Sequence, residues 1–127
     1  MKKILLLISL LIALSLQAQI KVTATKYHPG RGGAGWYCAS GDRIDNNKLK
    51  RYEIRWVALS PDLYGKLGVK INDKVMITCP TNPRLDGVWI VKDRMSKRLH
   101  NRIDLLLPAG DTMRFTSATQ MYIKKIE

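Results

Sequence analysis

The chain is short of acid and short of cysteine. Of 127 residues, ten are Asp or Glu against 22 Lys or Arg, giving a formal charge of +12. No block of five like charges occurs, so nothing reads as a nucleic-acid-binding tail. Repeats and low-complexity segments are also missing, which leaves one modest domain. The glycine-rich stretch from Gly30 to Gly35 lacks a following Lys-Ser or Lys-Thr and opens no helical pattern, so it is not a phosphate loop. The two cysteines and two histidines, at positions 28, 38, 79 and 100, lack the short paired spacings of a zinc site, and no metal or cofactor is expected. No acid or carboxamide is spaced to orient His28 or His100, which removes support for Cys38 as a nucleophile.

What is present begins with an export pattern. Lys2 and Lys3 precede an apolar run from Ile4 to Leu16, and Leu16-Gln17-Ala18 offers a small-residue cleavage site before Gln19. The run is too short to span a bilayer comfortably, so no stable membrane span is expected after cleavage. Residues 1–18 are therefore expected to be a signal peptide and 19–127 a single domain, periplasmic or secreted. Removing 18 residues takes two lysines and no acid, leaving 109 residues at +10. In the cell envelope such a charge points away from nucleic acid and towards carboxylate-bearing peptidoglycan, acidic polysaccharide or lipid headgroups. In an oxidising compartment an even cysteine count suggests a Cys38–Cys79 disulfide. It would close a 41-residue loop, a constraint of about 4 kcal/mol in the chain-entropy account.

Hydrophobicity alternates mostly with period two. Ile20, Val22 and Ala24 alternate with Lys21, Thr23 and Thr25, and further strands are expected over 54–59, 75–79, 88–92, 103–107 and 121–126. Asp86-Gly87 has the chemistry of a hairpin turn. One helix is expected from Ser60 to Leu67: Ser60 as cap, Pro61 at the first position, Asp62 at the positive end and Gly68 as stop. Six short strands with one or two short helices predict an all-β barrel, expected as a monomer.

Two acids stand out. Asp93 ends the apolar strand Val88-Trp89-Ile90-Val91-Lys92, and Asp104 lies inside the next. A carboxylate in such a place costs several kcal/mol unless it is paired or hydrogen-bonded. Each either caps a turn or pairs with Arg94, Arg98 or Arg102, or else carries chemistry. The arginines would favour the ionised form, whereas repulsion between the two aspartates would raise one of them.

Ala24-Thr25-Lys26-Tyr27, Ala39-Ser40-Gly41-Asp42, Val57-Ala58-Leu59-Ser60, Gly68 to Ile77, Val91-Lys92-Asp93-Arg94 and Arg102-Ile103-Asp104-Leu105 follow one another in an order that resembles the rare lipoprotein A family. The same motifs resemble the related three-Asp (3D) domain of membrane-bound lytic transglycosylase A. The likeness covers about residues 20–126, and its most specific element is the spacing of eleven positions from Asp93 to Asp104. It implies a six-stranded double-psi β-barrel with a groove for a glycan strand. It also implies cleavage of peptidoglycan to 1,6-anhydro ends by one acid/base carboxyl, with Asp104 matching the catalytic acid and Asp93 the other acid of the pair. Asp42 stands where the lipoprotein family has a glutamate. Ser60 replaces a His or Asp, with Asp62 two residues on, and Arg94-Met95 replaces the usual turn after the first acid.

Trp36 and Tyr37, with Tyr27 near them, are candidate platforms for sugar rings, and Arg94, Arg102 and Arg31 can fork onto substrate carboxylates. Trp36 and Tyr37 can equally pack beside Cys38, while Trp56 and Trp89, in apolar strands, are expected in the core. Three functions fit: a lytic-transglycosylase-like enzyme on peptidoglycan glycan strands, a non-catalytic glycan-binding barrel like the expansin modules, or a basic exported protein that binds a partner or an anionic membrane surface.

Overall fold

The structure, a computed structural model, describes residues 19–30, 35–111 and 119–127. The expected signal segment and Arg31 lie outside the described residues. Six strands form the wall: β1 (Ile20–Tyr27), β2 (Trp56–Leu59), β3 (Lys74–Thr78), β4 (Gly87–Arg94), β5 (Arg102–Leu106) and β6 (Thr119–Lys125). They close in the order β1-β5-β2-β4-β3-β6. Closure leaves no unpaired edge, and the all-β barrel expected from the sequence is the one observed.

The period-two pattern builds the interior. Each strand sends two residues inward: Val22 and Ala24, Val57 and Leu59, Val75 and Ile77, Trp89 and Val91, Ile103 and Leu105, Met121 and Ile123. Trp89 also satisfies its indole N–H, which donates to the Leu85 carbonyl at 2.9 Å. Leu63, Val69, Leu85 and Leu107 join the same cluster. Two short helices accompany the barrel, α1 (Asn46–Lys50) and α2 (Pro61–Leu67), with a 3-10 turn at Pro83–Leu85. The stop at Gly68 is as expected: it adopts the left-handed conformation at φ 68°, which glycine takes without strain. The Ser60 side chain makes no cap bond; its Oγ instead accepts the Arg102 N–H at 3.0 Å and ties α2 to β5.

The pairings are unchanged when β1, β2 and β3 are exchanged with β4, β5 and β6. β1 runs parallel to β5 as β4 does to β2, β1 is antiparallel to β6 as β4 is to β3, and the β2–β5 and β3–β6 pairs map onto themselves. The chain thus folds as two equivalent three-strand halves.

A second, smaller cluster lies outside the wall. Cys38, Ile44, Leu49, Ile54 and the outward-facing Leu106 pack with Tyr27 and Trp56. It fastens the long β1–β2 connection, including α1, against the barrel. Asp45 caps α1, accepting the amides of Asn47 and Lys48.

Three expectations change. The Cys38–Cys79 disulfide does not form: both are free, buried thiols. Cys79 continues the inward parity of Val75 and Ile77 into the barrel core, whereas Cys38 belongs to the outer cluster, so the wall separates them. Trp56 packs against that outer cluster too, and only Trp89 is in the barrel core. Asp86-Gly87 is not a two-residue turn. The β3–β4 connection takes in the 3-10 turn, and Asp86 Oδ1 closes it by accepting the Cys79 amide at 2.6 Å.

Candidate active site

Asp93 and Asp104 meet because of the register of three strands. Ala58 of β2 is opposite Asp104 in β5 and opposite Asp93 in β4, while Thr25 of β1 is opposite Asp104. Thr25, Asp104, Ala58 and Asp93 therefore form one row across the wall. Strict alternation would turn Asp93 inward after Trp89 and Val91. A bulge intervenes: Val57 pairs with Val91 but Ala58 pairs with Asp93, so Lys92 is an extra residue and Asp93 shares the outer face with Asp104. Ala58 is 4% exposed and carries only a methyl group, which leaves room above it for both carboxyls.

The two acids are held differently. Asp93 Oδ1 accepts two backbone amides, from Ala39 at 3.1 Å and Arg94 at 3.0 Å. Asp104 Oδ1 accepts the Thr25 hydroxyl at 2.9 Å. Burial pushes the Asp104 carboxyl above the usual range; the Thr25 hydrogen bond opposes this, Asp93 adds to it, and His28 opposes it. None of Arg94, Arg98 or Arg102 is among the groups that set Asp104, so the sequence neighbours do not hold it ionised.

Tyr27, two residues beyond Thr25 on the same face, closes one side of the row. Its hydroxyl is buried and has no hydrogen-bond partner among the described residues. Burial, then Cys38, Asp93, Asp104 and Tyr64, all push it away from ionisation. The Cys38 thiol is raised to about 11, chiefly by burial and next by Asp93, which makes it a packing group rather than a nucleophile.

The Ala39-Ser40-Gly41-Asp42 segment forms a rim beside Asp93. It turns tightly, with the Gly41 amide donating to Cys38 O and φ 87° at Gly41. It is stitched to β4 through the Ser40 amide on the Lys92 carbonyl at 3.1 Å as well as through Asp93. Lys92, the extra residue of the bulge, donates to Asp42 Oδ2 at 2.6 Å and Asn72 Oδ1 at 2.7 Å, and lies 5.0 Å from the Trp56 ring centre. Its hydrogen bond, followed by that of Ser40, holds the Asp42 carboxyl below the usual range.

Of the remaining candidates, Trp36 is 37% exposed, and Gly30 approaches its indole so closely that a Cβ there would lie 3.2 Å from Nε1. Its neighbour Tyr37 is exposed as well. Arg94 stacks on Tyr64 at 5.4 Å, and the Tyr64 hydroxyl donates to the Asp93 carbonyl at 2.8 Å. Arg102 is exposed at the start of β5. Asp62 does not join the pair. Its Oδ2 accepts the Asn101 amide at 2.9 Å and Lys66 Nζ at 3.2 Å. Burial raises its carboxyl, but hydrogen bonds from Ser60, Asn101 and Lys66 outweigh that and hold it at about 2.

Thr25, Tyr64 and Lys92 were not singled out from the sequence as site residues. Thr25 was legible through its parity with Tyr27; Tyr64 and Lys92 depend on the helix position and the bulge. Among the described residues no three His, Cys, Asp or Glu side chains group as a metal site, and no helix is long and apolar enough to cross a membrane. Neither a protein-family model nor a curated protein matches the sequence.

Proposed function

We propose that the protein is exported to the cell envelope and cleaves peptidoglycan glycan strands as a lytic transglycosylase, with Asp104 as acid and then base. The observation that carries this reading is the contrast within the row. Asp104 is raised by burial and keeps one side-chain hydrogen bond, whereas Asp93 is tied by two backbone amides. A general acid must hold its proton near neutral pH, and burial works in that direction.

In this reading Asp104 gives its proton to the oxygen joining the two sugars as that bond breaks. The C6 hydroxyl of the same sugar closes onto C1, and its proton passes to the Asp104 carboxylate. The product is a 1,6-anhydro end, no water is consumed, and the acid is restored. A hydrolase would need a second carboxylate free to activate water or attack the sugar. Asp93, with one amide bond from the rim and one from Arg94, suits a positioning and electrostatic role better.

One observation favours the alternative of a glycan-binding barrel without catalysis. Ser60, at the position where the resembling families carry His or Asp, is fully buried and its Oγ is occupied by the Arg102 amide. Incubation with purified sacculi followed by mass spectrometry separates the two. The enzyme releases anhydro-ended fragments that disappear in Asp104→Asn. Pelleting with sacculi without products selects the binder, and neither outcome leaves the third reading, a partner or membrane surface.

A further inference from the structure

Next to the aspartate row lies a cavity of about 740 Å³. Its lining includes Tyr64, Val69, Lys70, Arg94, Met95 and Lys97. Two structural ties connect it to the row: Arg94 directly follows Asp93, and Tyr64 donates to the Asp93 carbonyl. Three of these residues are cations, and none lining the cavity is an acid. Among the described residues no carboxylate forms an ion pair with Lys70, Arg94 or Lys97. Unneutralised cations around an apolar floor of Tyr64, Val69 and Met95 suit a ligand with carboxylates on a partly aliphatic body.

We infer that this cavity receives the stem peptide attached to the glycan strand, Lys70, Arg94 and Lys97 taking its carboxylates while the strand lies across Asp93 and Asp104. This rests on the proposed action on peptidoglycan and specifies which form of it is bound. Size argues for a peptide over the bare lactyl carboxylate of a stripped strand: pockets of roughly 300–1,000 Å³ enclose drug-sized ligands, and a three-carbon acid would leave most of the space to water. The position of Arg94 also gives polarity, since the peptide-bearing sugar must sit on the Asp93 side of the row.

The test uses Asp104→Asn as a background that does not turn substrate over. Calorimetry compares its binding to soluble glycan fragments with stem peptides and to the same fragments stripped by an amidase. Peptide-bearing fragments should bind at least ten-fold more tightly. Lys70→Ala with Lys97→Ala should remove most of that difference while leaving the stripped fragments' affinity unchanged, and the circular dichroism of the variants should match the parent. Equal affinity for the two fragments, or a double variant that binds peptide-bearing fragments as the parent does, overturns the inference and leaves the glycan reading standing. If neither fragment binds, the glycan reading falls and this inference falls with it.

Discussion

Replacing Thr25 by Val and Asp93 by Asn should move the titration of Asp104 in opposite directions. The Thr25 hydroxyl donates to Asp104 Oδ1 at 2.9 Å, and the bond lowers a carboxyl that burial raises. A hydrogen bond to a charged group contributes roughly 1.5–3 kcal/mol; discounted for solvent screening at a partly exposed carboxyl, it is worth about 1 kcal/mol here. Val keeps the shape and loses the donor, so the ionised form loses that support and Asp104 titrates at higher pH. Asp93 acts with the other sign. It and Asp104 flank Ala58, so their Cα atoms are two strand spacings, about 9–10 Å, apart. At about 8 Å between carboxyls and an effective dielectric of ~20–40, the repulsion is about 1–2 kcal/mol. Asp93→Asn removes it, and Asp104 titrates at lower pH. Because burial is the leading cause of the rise, Asp104 should stay above an ordinary carboxyl even in this variant. The Asn Oδ1 still accepts the Ala39 and Arg94 amides, so the rim stays in place.

Carboxyl carbon NMR of Asp-labelled protein reads the titration directly. The alkaline limb of glycan cleavage should follow it: the general acid keeps its proton to higher pH in Thr25→Val and loses it sooner in Asp93→Asn. Movement of both variants in the same direction would refute the geometry of the row, as would a fall in Thr25→Val.

Four further outcomes follow from the fold. Asp104→Asn should unfold at a higher temperature than the parent at pH 7 but not at pH 3. A carboxyl raised on folding contributes its stability below its unfolded value and loses it as pH rises through the folded value, and the amide has no such loss. Ellman's reagent should find little reactive thiol in the native protein and two thiols in denaturant, since Cys38 and Cys79 are both buried and free; no thiols in denaturant would restore the disulfide. Leu106→Ala should cost about 2–5 kcal/mol in a denaturant melt, and it should speed hydrogen exchange at the Ser40 and Ile44 amides, because Leu106 anchors the outer cluster. Lys92→Met loses the bonds to Asp42 and Asn72 and should lower the denaturant midpoint less than Leu106→Ala does, with the same local increase in exchange.

The strands were legible because nearly all alternate, and alternation in a closed barrel has one meaning: inward residues fill the interior. α2 was legible through Pro61 and Gly68. α1 was not, since five residues with one buried leucine have no detectable period, although Asp45 before Asn46 was a cap in plain view. The cysteine pair misled because its count carries no parity. Counting in twos from Val75 places Cys79 inside the wall, and a residue inside cannot reach one packed on the outside. The arginines near Asp93 and Asp104 misled for a related reason, since closeness in sequence along a strand says nothing of which way a long side chain leaves it.

The symmetry of the barrel explains why the row is where it is, and why it is uneven. Exchanging the two halves maps β2 onto β5 and β1 onto β4, so Ala58 exchanges with Asp104 and Thr25 with Asp93. The row therefore crosses the pseudo-two-fold at the β2–β5 pair, the pair within the row that maps onto itself. Perfect symmetry would give it matching ends and no distinction between one acid and another. Two departures break it. At one end Thr25 supplies a hydroxyl, whereas at the other the bulge delivers Asp93 and Lys92 to the same face. The connections differ as well: the described part of the β1–β2 connection packs on Leu106, Tyr27 and Trp56 and bonds to Asp93 and the Lys92 carbonyl, whereas β4 and β5 are joined by residues 95–101 alone. One of the two amides that fix Asp93 thus comes from a long connection that has no counterpart between β4 and β5.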